Sequence, residues 1–112
     1  MADQNGTTQF VLSKFIPMTI LQIEHHVPNY EGWRKAFDSD PVGRKKMNVT
    51  KYSVFRPVDD RNFVIIHLYF ENRSDADAML QALQKLWGKV EGTIITHAKT
   101  KILDEIESVT LK

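Results

Sequence analysis

The sequence predicts one α+β domain in which two helices lie on one face of a four-stranded antiparallel sheet. Two patterns carry that expectation. Apolar residues recur at three- and four-residue spacing around Trp33 and around Leu83, the period of a helix face. Runs rich in β-branched and aromatic residues stand before, between and after those two stretches, as strands do. The length agrees. A chain of 112 residues makes one compact domain and one core, with little left for a deep private cleft.

The elements follow in order. Residues 19–27 read as a strand, with Ile20, Leu21, Ile23 and Val27 as its apolar bulk. Pro28 cannot donate to a ladder and ends it. Asn29 suits a helix N-cap, and Tyr30, Trp33 and Phe37 then build one apolar helix face. Asp40 followed by Pro41 predicts a fresh cap and a restart, with a short second helical piece running to about Met47. Residues 49–56 form a second strand. The turn-rich stretch 57–62 joins it to a third strand over 63–71, so the two make an antiparallel hairpin. Ser74 with Asp77 resembles a capping box. Ala76, Met79, Leu80, Leu83, Trp87 and Val90 continue from it at helical spacing. Gly92 is the expected stop, and residues 94–106 return to strand character. This βαββαβ order is the ferredoxin-like one. The domain proper is expected to span residues 18–112, with residues 1–17 an extension outside the core.

Strand parity predicts what each sheet face holds. On the third strand Val64, Ile66, Leu68 and Phe70 should meet the helices, and Phe63, Ile65, His67 and Tyr69 should point away. On the first strand Leu21, Ile23, His25 and Val27 form one set, and Ile20, Gln22, Glu24 and His26 the other. The sets pointing away are too apolar for open water and too polar for a dry core. A face of that kind packs against something. An identical sheet is the economical partner, so a homodimer is expected.

Bulk properties exclude several function classes. The formal net charge of +1 gives no field to steer the chain to nucleic acid or membrane. The run Arg44, Lys45, Lys46 reads as a solvated helix end, with a phosphate patch as its alternative. No cysteine is present, which removes disulfides, thiolate nucleophiles and zinc–thiolate sites and agrees with a cytoplasmic location. No stretch approaches the roughly 18 apolar residues of a membrane helix, and the polar residues 1–9 do not open a signal peptide.

The segment His25-His26-Val27-Pro28-Asn29-Tyr30-Glu31-Gly32-Trp33, followed by Phe37-Asp38-Ser39-Asp40, resembles the strand-to-helix junction of the dimeric α/β barrel proteins. The small-chain members of that group include the antibiotic-biosynthesis monooxygenase-like proteins, the stress-responsive barrel proteins, muconolactone isomerases and polyketide cyclases. The resemblance covers about residues 18–107 and is one of fold, which does not fix function. It implies two sheets packed face to face. It also implies a site between helices and sheet within each subunit, with residues 38–43 as its mouth. Haem-degrading members carry a His on the second helix. Residues 74–90 contain none, which argues against haem. No glycine-rich phosphate loop for a nucleotide or flavin is present, so no cofactor is expected.

The histidines are the natural candidates for chemistry, because imidazole titrates near neutrality and ligates metals. By parity His26, His67 and Glu24 share a face, and His97 on the last strand could join them. A one-residue register error would exchange His26 for His25. A carboxylate beside an imidazole raises its basicity and suits proton transfer. Tyr69, Tyr52 and Arg56 could hold an oxyanion or phenol. Two histidines and a carboxylate also have the composition of a metal site, although no metal is expected. The plain alternative makes all of these polar residues satisfied across a dimer interface. Trp33, Phe37 and Trp87 would line an apolar pocket for a flat ligand, or simply fill the core. The function these readings favour is a cofactor-independent oxygenase, isomerase or cyclase acting on a small aromatic or polyketide-like molecule. The alternative is a non-catalytic homodimer that binds a small ligand or a protein partner.

Overall fold

The computed structural model describes residues 16–90 and 96–111 of the chain. Its elements are β1 (Thr19–His26), α1 (Tyr30–Ser39), β2 (Lys51–Phe55), β3 (Phe63–Phe70), α2 (Arg73–Val90) and β4 (Thr96–Asp104). The strands form one antiparallel sheet in the order β2-β3-β1-β4. This is the ferredoxin-like α+β arrangement that the order of the elements predicts. The expected stop at Gly92 and the strand start at Ile94 lie outside the described residues.

Strand parity sorts the side chains as the alternation predicts. Leu21, Ile23, Val64, Ile66, Leu68 and Phe70 are all buried on the helix-covered face, with Trp33 of α1 and Ala76 and Met79 of α2 packed onto them. The opposite face carries Phe63, Ile65, His67 and Tyr69, all only half-buried in a single copy, and Phe55, which is exposed. Pairing fixes this division, because Leu21 lies opposite Leu68 and Gln22 opposite His67. A slip of one residue would exchange the two faces wholesale.

The helix ends show how local chemistry sets the boundaries. Asn29 is extended and its Oδ1 accepts from Gly32 N at 2.7 Å, satisfying one of the first-turn donors. Helix α2 is capped by Asn72 rather than Ser74. Asn72 Oδ1 accepts from Asp75 N at 3.0 Å and from Ser74 Oγ at 2.7 Å. The helix therefore begins earlier than the Ser74–Asp77 spacing predicts.

The expected second helical piece after α1 does not form. Asp40 turns left-handed, with φ 53, and its N–H closes onto Phe37 O. Residues 44–48 make one hydrogen-bonded turn, in which Met47 N donates to Gly43 O at 2.9 Å and Val49 N to Arg44 O at 3.0 Å. Gly43 at φ 83 breaks the helical path between the two pieces, and five residues are too few to sustain a helix alone. Asp40 still caps this turn, accepting from Arg44 N at 2.8 Å.

Candidate functional site

A cavity of about 260 Å³ lies between the helices and the covered sheet face. Ile23 and His25 reach it from β1, Trp33 and Phe37 from α1, and Leu83 and Trp87 from α2. Each pair sits at the spacing that puts both residues on one side of its element: two along the strand, four along each helix. Trp33 stacks on Phe37 with centroids 4.9 Å apart and planes 24° apart. The lining is aromatic at Trp33, Phe37 and Trp87 and aliphatic at Ile23 and Leu83.

His25 is the buried polar residue of this lining, 3 % exposed. Its ring lies 6.1 Å from Trp33. Burial pushes its pKa down to about 4, with a smaller lowering from the neighbouring His26 charge, against a weak hydrogen bond to the His26 carbonyl. His25 is therefore neutral at physiological pH. Nδ1 lies 3.4 Å from His26 O. With its proton on Nδ1, Nε2 is a bare acceptor, and it has no hydrogen-bond partner among the described residues. Beside His25, β4 departs from regular pairing between the positions opposite Glu24 and His26, and His97 there takes φ 51. Bulges of this sort re-aim neighbouring side chains. His97 is exposed.

The segment after α1 forms one edge of the cavity through Asp40, Pro41, Val42 and Arg44. Arg44 departs from the solvated-charge reading of its run. Its guanidinium lies 4.0 Å from the Phe37 centroid and 4.8 Å from that of Tyr52. Nη1 donates to Phe37 O at 2.8 Å and Nε sits 3.6 Å from Asp40 Oδ1. The side chain thus latches the turn onto the end of α1.

The structure divides the sequence candidates between the two sheet faces. Trp33, Phe37 and Trp87 line the cavity. Tyr52 lies outside the cavity lining and packs edge-to-face on Phe37, with ring centroids 5.1 Å apart. Arg56 lies over Tyr30, 4.3 Å from the ring centroid, outside the cavity lining. Glu24, His26, His67 and Tyr69 are on the opposite face. There His67 Nε2 meets Gln22 Oε1 at 2.9 Å, and Gln22 Nε2 donates to Glu24 Oε2 at 3.2 Å. Partial burial lowers the His67 pKa. His26 does not join that chain. It is paired opposite Phe63, four residues along β1 from Gln22, which is about 13 Å. Its Nε2 lies 3.7 Å from Asp60 Oδ2 in the hairpin turn. His26, His67 and Glu24 thus do not converge on one point. Among the described residues no group of three metal-ligating side chains is placed to hold an ion.

His25 is the polar residue that the choice of His26 passed over. The signal for it was strand parity, which already set His25 with Leu21, Ile23 and Val27 on the covered face. Arg44 left no such signal, because its role depends on a ring brought to it by the end of α1.

No protein-family model and no curated protein sequence matches the chain. Solved structures do. A protein from Nitrosomonas europaea described as a "putative antibiotic biosynthesis monooxygenase" superimposes with a TM-score of 0.63 at 15% identity, over 80% of this chain and 90% of that one. SnoaB from Streptomyces nogalater, described as a cofactor-independent oxygenase and solved as a point mutant, superimposes with a TM-score of 0.64 at 8% identity, over 85% of this chain and 98% of that one. A dimeric ferredoxin-like protein from an uncultured marine organism gives 0.60 at 16% identity, over 83% and 99%. At these identities the likeness is one of fold. Element order, sheet order and the helix-covered face give this chain a ferredoxin-like fold, shared with these solved structures.

Proposed function

We propose that the protein is a homodimeric, cofactor-independent oxygenase, isomerase or cyclase acting on a small aromatic or polyketide-like molecule held between its helices and sheet. The observation that carries this reading is the cavity itself, a slot walled by Trp33, Phe37 and Trp87 with one buried neutral imidazole. An apolar cleft with few convergent polar groups is the usual form of a small-molecule site. Its volume of about 260 Å³ falls just under the lower end of ligand pockets, about 300 Å³, so the ligand is small. The description of SnoaB as a cofactor-independent oxygenase supports the same reading.

In this proposal the outer sheet face serves assembly. Ile65, Phe63 and Phe55 supply apolar surface there, and His67, Gln22 and Glu24 are already joined by hydrogen bonds within the sheet. A dimeric ferredoxin-like neighbour supports this arrangement.

The test uses the chain's two tryptophans, both of which line the cavity. Titration with small planar aromatics should produce a saturable change in tryptophan fluorescence, and hydroxylated members should show oxygen uptake or isomerisation. Saturable binding with no product from any member would leave a ligand-binding protein in place of an enzyme. No saturable change with any member would remove the site.

A further inference from the structure

We infer that His25 selects the ligand, so that the cavity takes a neutral aromatic bearing one O–H or N–H that donates to the imidazole, in preference to a carboxylate or other anion. The inference rests on the cavity being the ligand site and goes beyond it by assigning the polar contact.

The argument is an accounting of hydrogen bonds. Six residues of the lining carry polar side-chain atoms: His25, Ser39, Asp40 and Arg44, and Trp33 and Trp87 through their indole N–H groups. Ser39 Oγ donates to Ala36 O at 2.6 Å. Asp40 accepts from Arg44 N and faces Arg44 Nε. Arg44 donates to Phe37 O and lies between two rings. Ser39, Asp40 and Arg44 thus bond to one another or to the end of α1 at the cavity's edge, and the two indoles can only donate. His25 Nε2 is the buried acceptor that remains, in a residue 3 % exposed.

A buried acceptor without a partner costs free energy until something donates to it. A ligand hydroxyl removes that cost, while a methyl group of the same size leaves it in place. An anion fares worse than either. The one guanidinium nearby is already paired with Asp40, and a carboxylate placed against the neutral His25 acceptor gains no hydrogen bond from it and loses its water, with neutral indole N–H groups as the other donors of the lining. Protonating His25 to meet the anion is opposed by the same burial that lowers its pKa.

The experiment compares three probes of one shape near neutral pH: naphthol, methylnaphthalene and naphthoate. Their dissociation constants are read by tryptophan fluorescence in the wild type and in His25→Leu and His25→Gln. The wild type should bind naphthol about tenfold more tightly than methylnaphthalene, with naphthoate the weakest. His25→Leu should bring naphthol to the level of methylnaphthalene while leaving methylnaphthalene bound. His25→Gln keeps an acceptor and should retain part of the preference. Equal binding of naphthol and methylnaphthalene by the wild type, or tightest binding of naphthoate, would overturn the selection and leave the cavity a ligand site. Failure of all three probes to bind would overturn both. If His25→Leu does not fold, the wild-type series and His25→Gln decide the question.

Discussion

His25 and His26 are adjacent in the chain and differ in almost every physical respect. His25 is 3 % exposed among tryptophan and aliphatic side chains, and burial holds it neutral. The side chain of His26 is 64% exposed and lies near Asp60. One strand, alternating sides, carries both. The same contrast runs across the sheet. The covered face is apolar around the cavity, where His25 is the buried polar side chain, whereas the outer face mixes Ile65 and Phe55 with a hydrogen-bonded chain of His67, Gln22 and Glu24. On the covered face His25 Nε2 has no hydrogen-bond partner among the described residues, and the polar groups of the outer face answer one another. The first arrangement suits a ligand. The second suits a surface that is covered without needing one.

The largest effect should come from charging the outer face. Ile65→Lys would place an unpaired ammonium in the proposed sheet–sheet contact, where stranding a charge costs about 3–5 kcal/mol per site. Light scattering should report a monomer with unchanged helix and strand content. A persistent dimer would remove the outer face from the interface and end the contrast between the two sides.

Acid should weaken the covered face. The pKa of His25, about 4 when folded, lies below its ordinary 6.5, so the unfolded chain binds a proton more readily between those values. Stability therefore falls as pH drops through that window, and it is fully present above it. The contribution is at most about 3 kcal/mol. Denaturant midpoints at neutral pH and near pH 4 should differ more in the wild type than in His25→Leu. Equal differences would show that His25 titrates as a solvated group. His67, also lowered by burial, acts in the same direction in both proteins.

The smallest effect belongs to His26. Its exposed contact with Asp60 is worth little, so His26→Ala should shift stability by less than about 0.5 kcal/mol. Probe binding in the cavity should not change. A clear loss of affinity would place His26, and with it the outer face, in the ligand site.

Much of this contrast was legible in the chain. The apolar alternation of Val64, Ile66, Leu68 and Phe70, and the spacing of Trp33 with Phe37 and of Leu83 with Trp87, are local patterns, and local patterns determine element type and buried face. Parity even set His25 on the covered side. Only the tertiary structure decided which histidine meets the aromatic wall, because that depends on helices brought over β1 from later in the chain. It also decided that Arg44 is a latch and not a solvated charge, since Phe37 and Tyr52 enclose its guanidinium only once α1 and β2 are in place. And it separated His26 from His67. Residues that share a sheet face can still lie many ångströms apart along it, and the register of β1 against β3 fixes that distance. Periodicity reports direction. Distance between elements is set by packing and strand pairing, which no single stretch of sequence contains.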